Sequence, residues 1–470
     1  MKSIFNKNNI QRMPFFVLSI LIFVYICPNI RYPSIGENSL FPAFIFVLGY
    51  SFFSYKELKI YLFVGILSLI FPIYSVLFSP KFGEYSIISS LMSLYLLTVP
   101  VLSSITLGRI LGYRYSYKND RTIRREFYLL TFLLGLLFGL SAFLKNVAPS
   151  ILYFFLHAGR TSHNRFAFFF TEPSQSSSVL IGILLLGFCF LFKNNFSAIF
   201  KSKRKIIGFC FICFSVFLIY LAQPLSIFAQ LAIAAFLFVL ILISHFIYQI
   251  IRNKIIKLRI LGLKKSILFL GRIFIFLAPL ISIVYFTVAN YFERMLGLLK
   301  FIEKEGLFLG VMISAGNRFY YIFTTIIEGL RKPLSIPGDW VGNFSDSLLN
   351  VLSEFNIMPP DAYGLLQLHK QSLNPLLLKP SGWLYFGIYD LGIIGLLIIS
   401  FFLFKKYLFW SINGIIKCDK FVVLLVSIQL SLLLMPLLPS TPSAFLPLLV
   451  ASMINSYLEN KTVINNNFNI

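Results

Sequence analysis

The sequence predicts an all-α integral membrane protein that crosses the bilayer about twelve times, with an amphipathic helix in one large outer loop. Three observations predict it. Of the 470 residues, 58% are apolar and only 12% are charged, and a mean hydropathy of +0.84 does not describe a chain with a sizeable water-facing surface. Apolar runs close to 18 residues or longer recur from residue 14 to residue 457, and they are continuous rather than alternating, which excludes a β-barrel. The charge is sided: with the spans given below, one side carries 28 Lys/Arg and 5 Asp/Glu, the other 13 and 12. The net charge of +24 is therefore the positive-inside bias of a membrane chain, divided among short loops, and not a patch for nucleic acid.

The expected spans are residues 14–30, 40–54, 60–79, 86–112, 126–144, 174–192, 206–222, 225–251, 266–289, 382–404, 418–436 and 441–457, in one membrane domain over residues 1–470. Basic residues precede the first run, Pro14 to Cys27, but no small-residue cleavage site precedes Arg31, so the run is kept as a span rather than a signal peptide. Lys56 and Lys59, the Arg114 to Arg125 cluster, Lys201 to Lys205, Arg252 to Lys265 and Lys405 to Lys420 fall on the side of the N-terminus, and an even count places both termini in the cytoplasm. Cys27, Cys189, Cys210, Cys213 and Cys418 lie within or beside apolar runs, which indicates neither a disulfide framework nor a thiolate metal site. The Asn-rich tail after Lys461 reads as a polar, disordered end.

Two outer connections are long: residues 145–173 and residues 290–381. Basic residues there work against the positive-inside bias and call for a local reason. In the first loop His157, Arg160, His163 and Arg165 sit among aromatics, and Glu172-Pro173-Ser174 reads as a helix start whose N-terminus suits phosphate. Two arginines five residues apart favour an anion, although arginines snorkelling to headgroups beside an aromatic belt make the same pattern.

In the second loop the spacing predicts a helix from Asn317, with Phe319, Ile322, Phe323, Ile326 and Ile327 as an apolar stripe and Arg318, Tyr321, Thr325 and Glu328 on the other side. Gly329 is expected to end it. Such a helix lies on or near the outer surface, either as an interfacial helix or as part of an active site. Arg331, Lys332, His369 and Lys379 follow. A lone His is often structural, but an outer-loop His with no acidic or Cys cluster around it can serve as a general base near neutral pH. Sequence patterns for nucleotide, zinc-hydrolase and serine-hydrolase chemistry are absent, so neither a metal nor a cofactor is expected.

Together these segments resemble the O-antigen and capsule repeat-unit polymerase family. The likeness rests on Arg160 to Arg165 leading into Phe169-Phe170-Thr171-Glu172-Pro173-Ser174, on Arg318 followed by ten residues and Gly329, and on the glycine-punctuated run from Ser381-Gly382-Trp383 to Leu391-Gly392-Ile393-Ile394-Gly395-Leu396. The first loop departs from the paired form of the motif, since Thr171 and Ser176 stand where a glycine would follow each arginine. The resemblance implies a metal-independent, inverting glycosyltransferase of the bacterial inner membrane, joining undecaprenyl-diphosphate-linked oligosaccharides at its outer face. Its partners would be that lipid-linked substrate, membrane lipid and a chain-length regulator protein. On this reading Arg160, Arg165 and Arg318 contact the diphosphate, Arg331 and Lys379 assist, and His369 or Glu172 takes the acceptor proton.

Two other readings stay open. An O-antigen ligase uses similar outer loops to move a finished chain. A flippase for the same lipid-linked substrate would place ionisable residues at midplane, a description that Asp390, Arg109 and Arg272 approach.

Overall fold

The computed structural model describes residues 14–26, 58–78, 85–118, 120–147, 179–185, 187, 204–222, 225–253, 297, 300–304, 306, 317–357, 380, 382–435 and 442–468. The protein is all-helical, with no strand among the described residues. Its helices are α1 (Phe15–Ile26), α2 (Leu58–Phe78), α3 (Tyr85–Ser116), α4 (Asp120–Val147), α5 (Arg204–Ala222), α6 (Leu225–Asn253), α7 (Asn317–Arg331), α8 (Trp340–Glu354), α9 (Trp383–Ile416), α10 (Lys420–Leu434) and, after a 3-10 turn at Pro442–Phe445, α11 (Leu446–Phe468).

Two stretches are long and apolar enough to cross a membrane, Ile87–Ser116 in α3 and Trp383–Ile416, which is α9. Shorter apolar helices cover Leu62–Phe78, Gly208–Ile219, Gln230–His245 and Lys420–Leu434. The expected spans at 40–54 and 266–289 lie outside the described residues.

α3 is the axis of the core, and its packing follows from its small residues. A Cβ on Gly108 would stand 2.3 Å from the Leu449 carbonyl oxygen, and one on Gly112 would stand 2.5 Å from that of Met453. Ser452 and Ser456 of α11 repeat the same four-residue interval opposite them, so two small-residue ridges let the backbones approach closely. Several polar residues of α3 are folded back on its own backbone: Thr98 donates to the Leu94 carbonyl, Ser103 to that of Val99 and Ser104 to that of Pro100, at 2.7, 2.6 and 2.8 Å. Ser104 also meets the hydroxyl of buried Tyr25, which ties α1 to the core. Where α3 ends, buried Arg114 makes a two-pronged contact with Glu126 of α4, at 2.9 and 2.8 Å, and Lys118 joins the same carboxylate.

α9 begins within one residue of the expected tenth span, 382–404, but runs past its end. Lys405 and Lys406 do not end it, because a lysine changes the favoured solvent and not the backbone; the helix runs on to Ile416. It stops where Cys418 takes a left-handed φ of 52° and the Cys418 and Asp419 amides close on the Ile415 and Gly414 carbonyls. At 34 residues it spans about 51 Å, more than the hydrocarbon core needs. It is also interrupted: Gly392 has φ 72° and ψ 168°.

Candidate functional site

The interruption in α9 is filled by the turn between α7 and α8. Breaking the helix at Gly392 frees backbone groups, and the turn takes them up: the Ser335 amide donates to the Leu391 carbonyl at 3.1 Å, and the Ile394 amide donates to the Pro333 carbonyl at 3.0 Å. Only glycine fits the junction. Its left-handed φ disfavours other residues, and a Cβ would lie 2.3 Å from the Pro333 oxygen.

Two residues before the break, Asp390 is fully buried, and its Oδ1 accepts the Gly338 amide at 2.7 Å. Gly338 itself has φ 90° and presses against α3, where a Cβ would meet the Ser90 nitrogen at 2.5 Å. Ser93, close to Asp390, has its hydrogen committed to the Ser89 carbonyl and accepts from Trp340 Nε1 at 3.0 Å. Asp390 Oδ2 has no hydrogen-bond partner among the described residues. Below, Tyr389 and Ser347 share a hydroxyl contact of 2.9 Å, and an edge-to-face chain of Tyr321, Phe344 and Tyr389 joins α7, α8 and α9 at centroid distances of 5.6 and 5.0 Å. Trp383 Nε1 donates to the Leu97 carbonyl of α3 at 2.9 Å. The α7–α8 hairpin is thereby fastened to α9 and α3 by backbone, side-chain and aromatic contacts.

α7 spans Asn317–Arg331, so Gly329 does not end it. Gly329 sits two residues inside, where a Cβ would meet Ile388 Cγ2 at 2.3 Å; its role is close approach to α9. The helix is also turned over relative to a surface helix. Thr324 and Thr325 are fully buried, Tyr321 and Glu328 nearly so, while Ile326 and Leu330 point outward. The face that reads as polar in the sequence is the face packed on the protein.

Among the site residues expected from sequence, Arg318 lies in the first turn of α7, half-buried. Arg331 closes the same helix. Its Nη1 reaches Glu328 at 3.2 Å and its Nη2 reaches Glu354 of α8 at 2.6 Å, with Lys332 3.4 Å from Glu328. Hydrogen bonding to Glu354, and to Glu328 after it, raises the Arg331 guanidinium above its ordinary value. Arg331 thus joins the ends of α7 and α8, and a phosphate would compete there with two carboxylates. Arg160, Arg165, Glu172, His369 and Lys379 lie outside the described residues.

Asp390, Gly338, Ser93 and Trp340 are site-forming residues that sequence reasoning does not assemble. The available signal is an acidic residue within an apolar run, two positions before a glycine. Among the described residues no group of three His, Cys, Asp or Glu side chains is placed to hold a metal ion. Comparison with protein-family models, with curated proteins and with solved structures finds no match to this chain.

Proposed function

We propose that this chain is a polytopic inner-membrane protein of about twelve spans, with both termini cytoplasmic and residues 145–173 and 290–381 outside. Within that class, we infer a metal-independent glycosyltransferase that polymerises undecaprenyl-diphosphate-linked repeat units into O-antigen or capsule-type polysaccharide.

The observation that carries this reading is the relation between Arg318 and Gly329. Eleven residues make three helical turns to within about 20°, so the two share one face of α7 roughly 16 Å apart. Because Gly329 is seated against Ile388 of α9, that face is turned toward the protein. The spacing on which the family resemblance rests therefore has a physical meaning. The glycine brings α7 against α9, and the same register would put Arg318 on that side of the helix, where it would neutralise a diphosphate leaving group. His369 or Glu172 would take the proton of the acceptor hydroxyl as the sugar–phosphate bond breaks and the glycosidic bond forms. Arg160 and Arg165 would complete the phosphate contacts, with Lys379 and Arg331 peripheral.

One observation favours a second reading. A span broken at a glycine beside a buried carboxylate is how transporters build midplane sites, which suits a flippase for the same lipid-linked substrate.

Deleting the gene in its native host and resolving surface polysaccharide by length, with complementation, tests both. Single-repeat chains still attached to core are the expected result. Loss of all capped core with lipid-linked polymer accumulating would make it a ligase, and single lipid-linked repeats trapped on the cytoplasmic face would make it a flippase.

A further inference from the structure

We propose that α7 is embedded in the outer leaflet, its outward face against phospholipid acyl chains, with α8 roofing it from water. The proposal rests on the membrane reading above and adds where the hairpin sits.

The polarity of α7 carries the argument. In water an amphipathic helix buries its apolar stripe and exposes its polar one. α7 is arranged otherwise: Thr324, Thr325 and Glu328 face the protein, whereas of the apolar stripe Phe319, Ile322, Phe323 and Ile327 are half-buried, Ile326 is 42% exposed, and Leu330 beyond it is 65% exposed. An apolar surrounding favours that arrangement, since outward leucine and isoleucine then cost nothing and inward hydroxyls are kept from lipid. The neighbouring helix is built the other way. The exposed side of α8 is mostly polar, formed by Asp346, Asn350, Ser353 and Glu354 with Leu349 among them. The two helices of one hairpin thus present an apolar and a polar surface, and the Arg331 to Glu354 ion pair stands where they meet.

The apolar surface of α7 also runs on into that of α9. Leu334, exposed in the turn, adjoins Pro333, whose carbonyl accepts the Ile394 amide. From Ile394 the exposed residues Leu397, Ile398, Phe401 and Phe402 continue the same surface along the long apolar helix. In the chain between Leu330 and Leu334, exposed Arg331 and Lys332 border this surface, their charges paired with Glu328 and Glu354.

Depth measurements on the full-length protein test this. With Cys27, Cys189, Cys210, Cys213 and Cys418 replaced by serine, single cysteines at Ile326, Leu330, Asn350 and Leu397 receive a nitroxide in phosphatidylethanolamine–phosphatidylglycerol vesicles. These positions lie on the exposed sides of their helices. Collisions with oxygen, which partitions into lipid, are compared with those of a water-soluble nickel chelate. Ile326 and Leu330 should match Leu397 and favour oxygen several-fold, while Asn350 should favour nickel. Ile326 and Leu330 behaving like Asn350, or shielded from both reagents by protein, would overturn the proposal and leave the membrane reading standing. Nickel access at Leu397 would overturn both. Should the cysteine-free protein fail to fold, Leu330→Trp in the natural background tests the same placement: brominated lipid should quench more fluorescence than in the parent protein, and equal quenching would overturn the proposal.

Discussion

The Gly338 amide donates to Asp390 Oδ1 at 2.7 Å, fastening the α7–α8 turn to a carboxylate 52 residues further along the chain. The turn then lies where its Ser335 amide and Pro333 carbonyl can replace the helix bonds that Gly392 gives up. Removing the acceptor leaves a buried amide unsatisfied, at a cost of about 1–3 kcal/mol. Asp390→Ala should therefore lower the melting temperature in detergent, whereas Asp390→Asn, which keeps an acceptor oxygen at the same place, should stay near the parent. Equal melting of the alanine variant and the parent would show that the bond does not hold the turn.

Gly392→Ala should be worse than its neighbour Gly395→Ala. The first places a Cβ on a left-handed residue and against the Pro333 oxygen, whereas the second meets only the Leu391 Cβ, at 3.1 Å, in regular helix. Backbone strain of this kind costs about 1–3 kcal/mol before the displaced turn is counted. Thermal unfolding of the two variants side by side checks the order, and the reverse order would refute it.

Gly329→Val should separate α7 from α9, because its Cβ falls 2.3 Å from Ile388 Cγ2. Ile388→Ala makes room for it. The double variant should therefore be more stable than the sum of the single effects predicts, with a coupling on the order of 1 kcal/mol. Simple additivity would show that the two residues do not share the contact.

Arg318→Ala should abolish long polysaccharide chains while the protein still reaches the membrane in normal amount. Normal chain length from a well-expressed variant would take Arg318 out of the site.

Gly108→Leu should reduce the amount of folded protein in the membrane sharply, since the obstruction at 2.3 Å is the Leu449 backbone oxygen and cannot swing aside. Ser452→Ala, which keeps the ridge small, should express like the parent. Quantitative blotting of membrane fractions distinguishes them.

Part of this architecture is legible in the chain itself because the governing interactions are local. Helix formation in α3, α9 and α10 follows from continuous apolar runs, and the start of α7 at Asn317 follows from its periodicity. The alignment of Arg318 with Gly329 follows from helical geometry alone. Arg318 and Arg331 stand out alike in the sequence as cations of the long segment between apolar runs, and only the fold separates them, by setting Glu354 of α8 beside Arg331. Asp390 is visible there as an ionisable residue in an apolar run, without the partner that gives it a role.

The amino-acid order thus determined an all-helical chain and its long apolar segments, both properties of short windows. Tertiary structure alone decided which face of α7 turns inward, what fills the break at Gly392, and what Gly338 and Trp340 bind. Trp340 donates to Ser93, 247 residues earlier, and Gly338 reaches both Ser90 of α3 and Asp390 of α9. No periodicity within a segment encodes such contacts. They depend on how distant helices dock, and docking is selected by close approach at small residues and by the need to satisfy every buried backbone group.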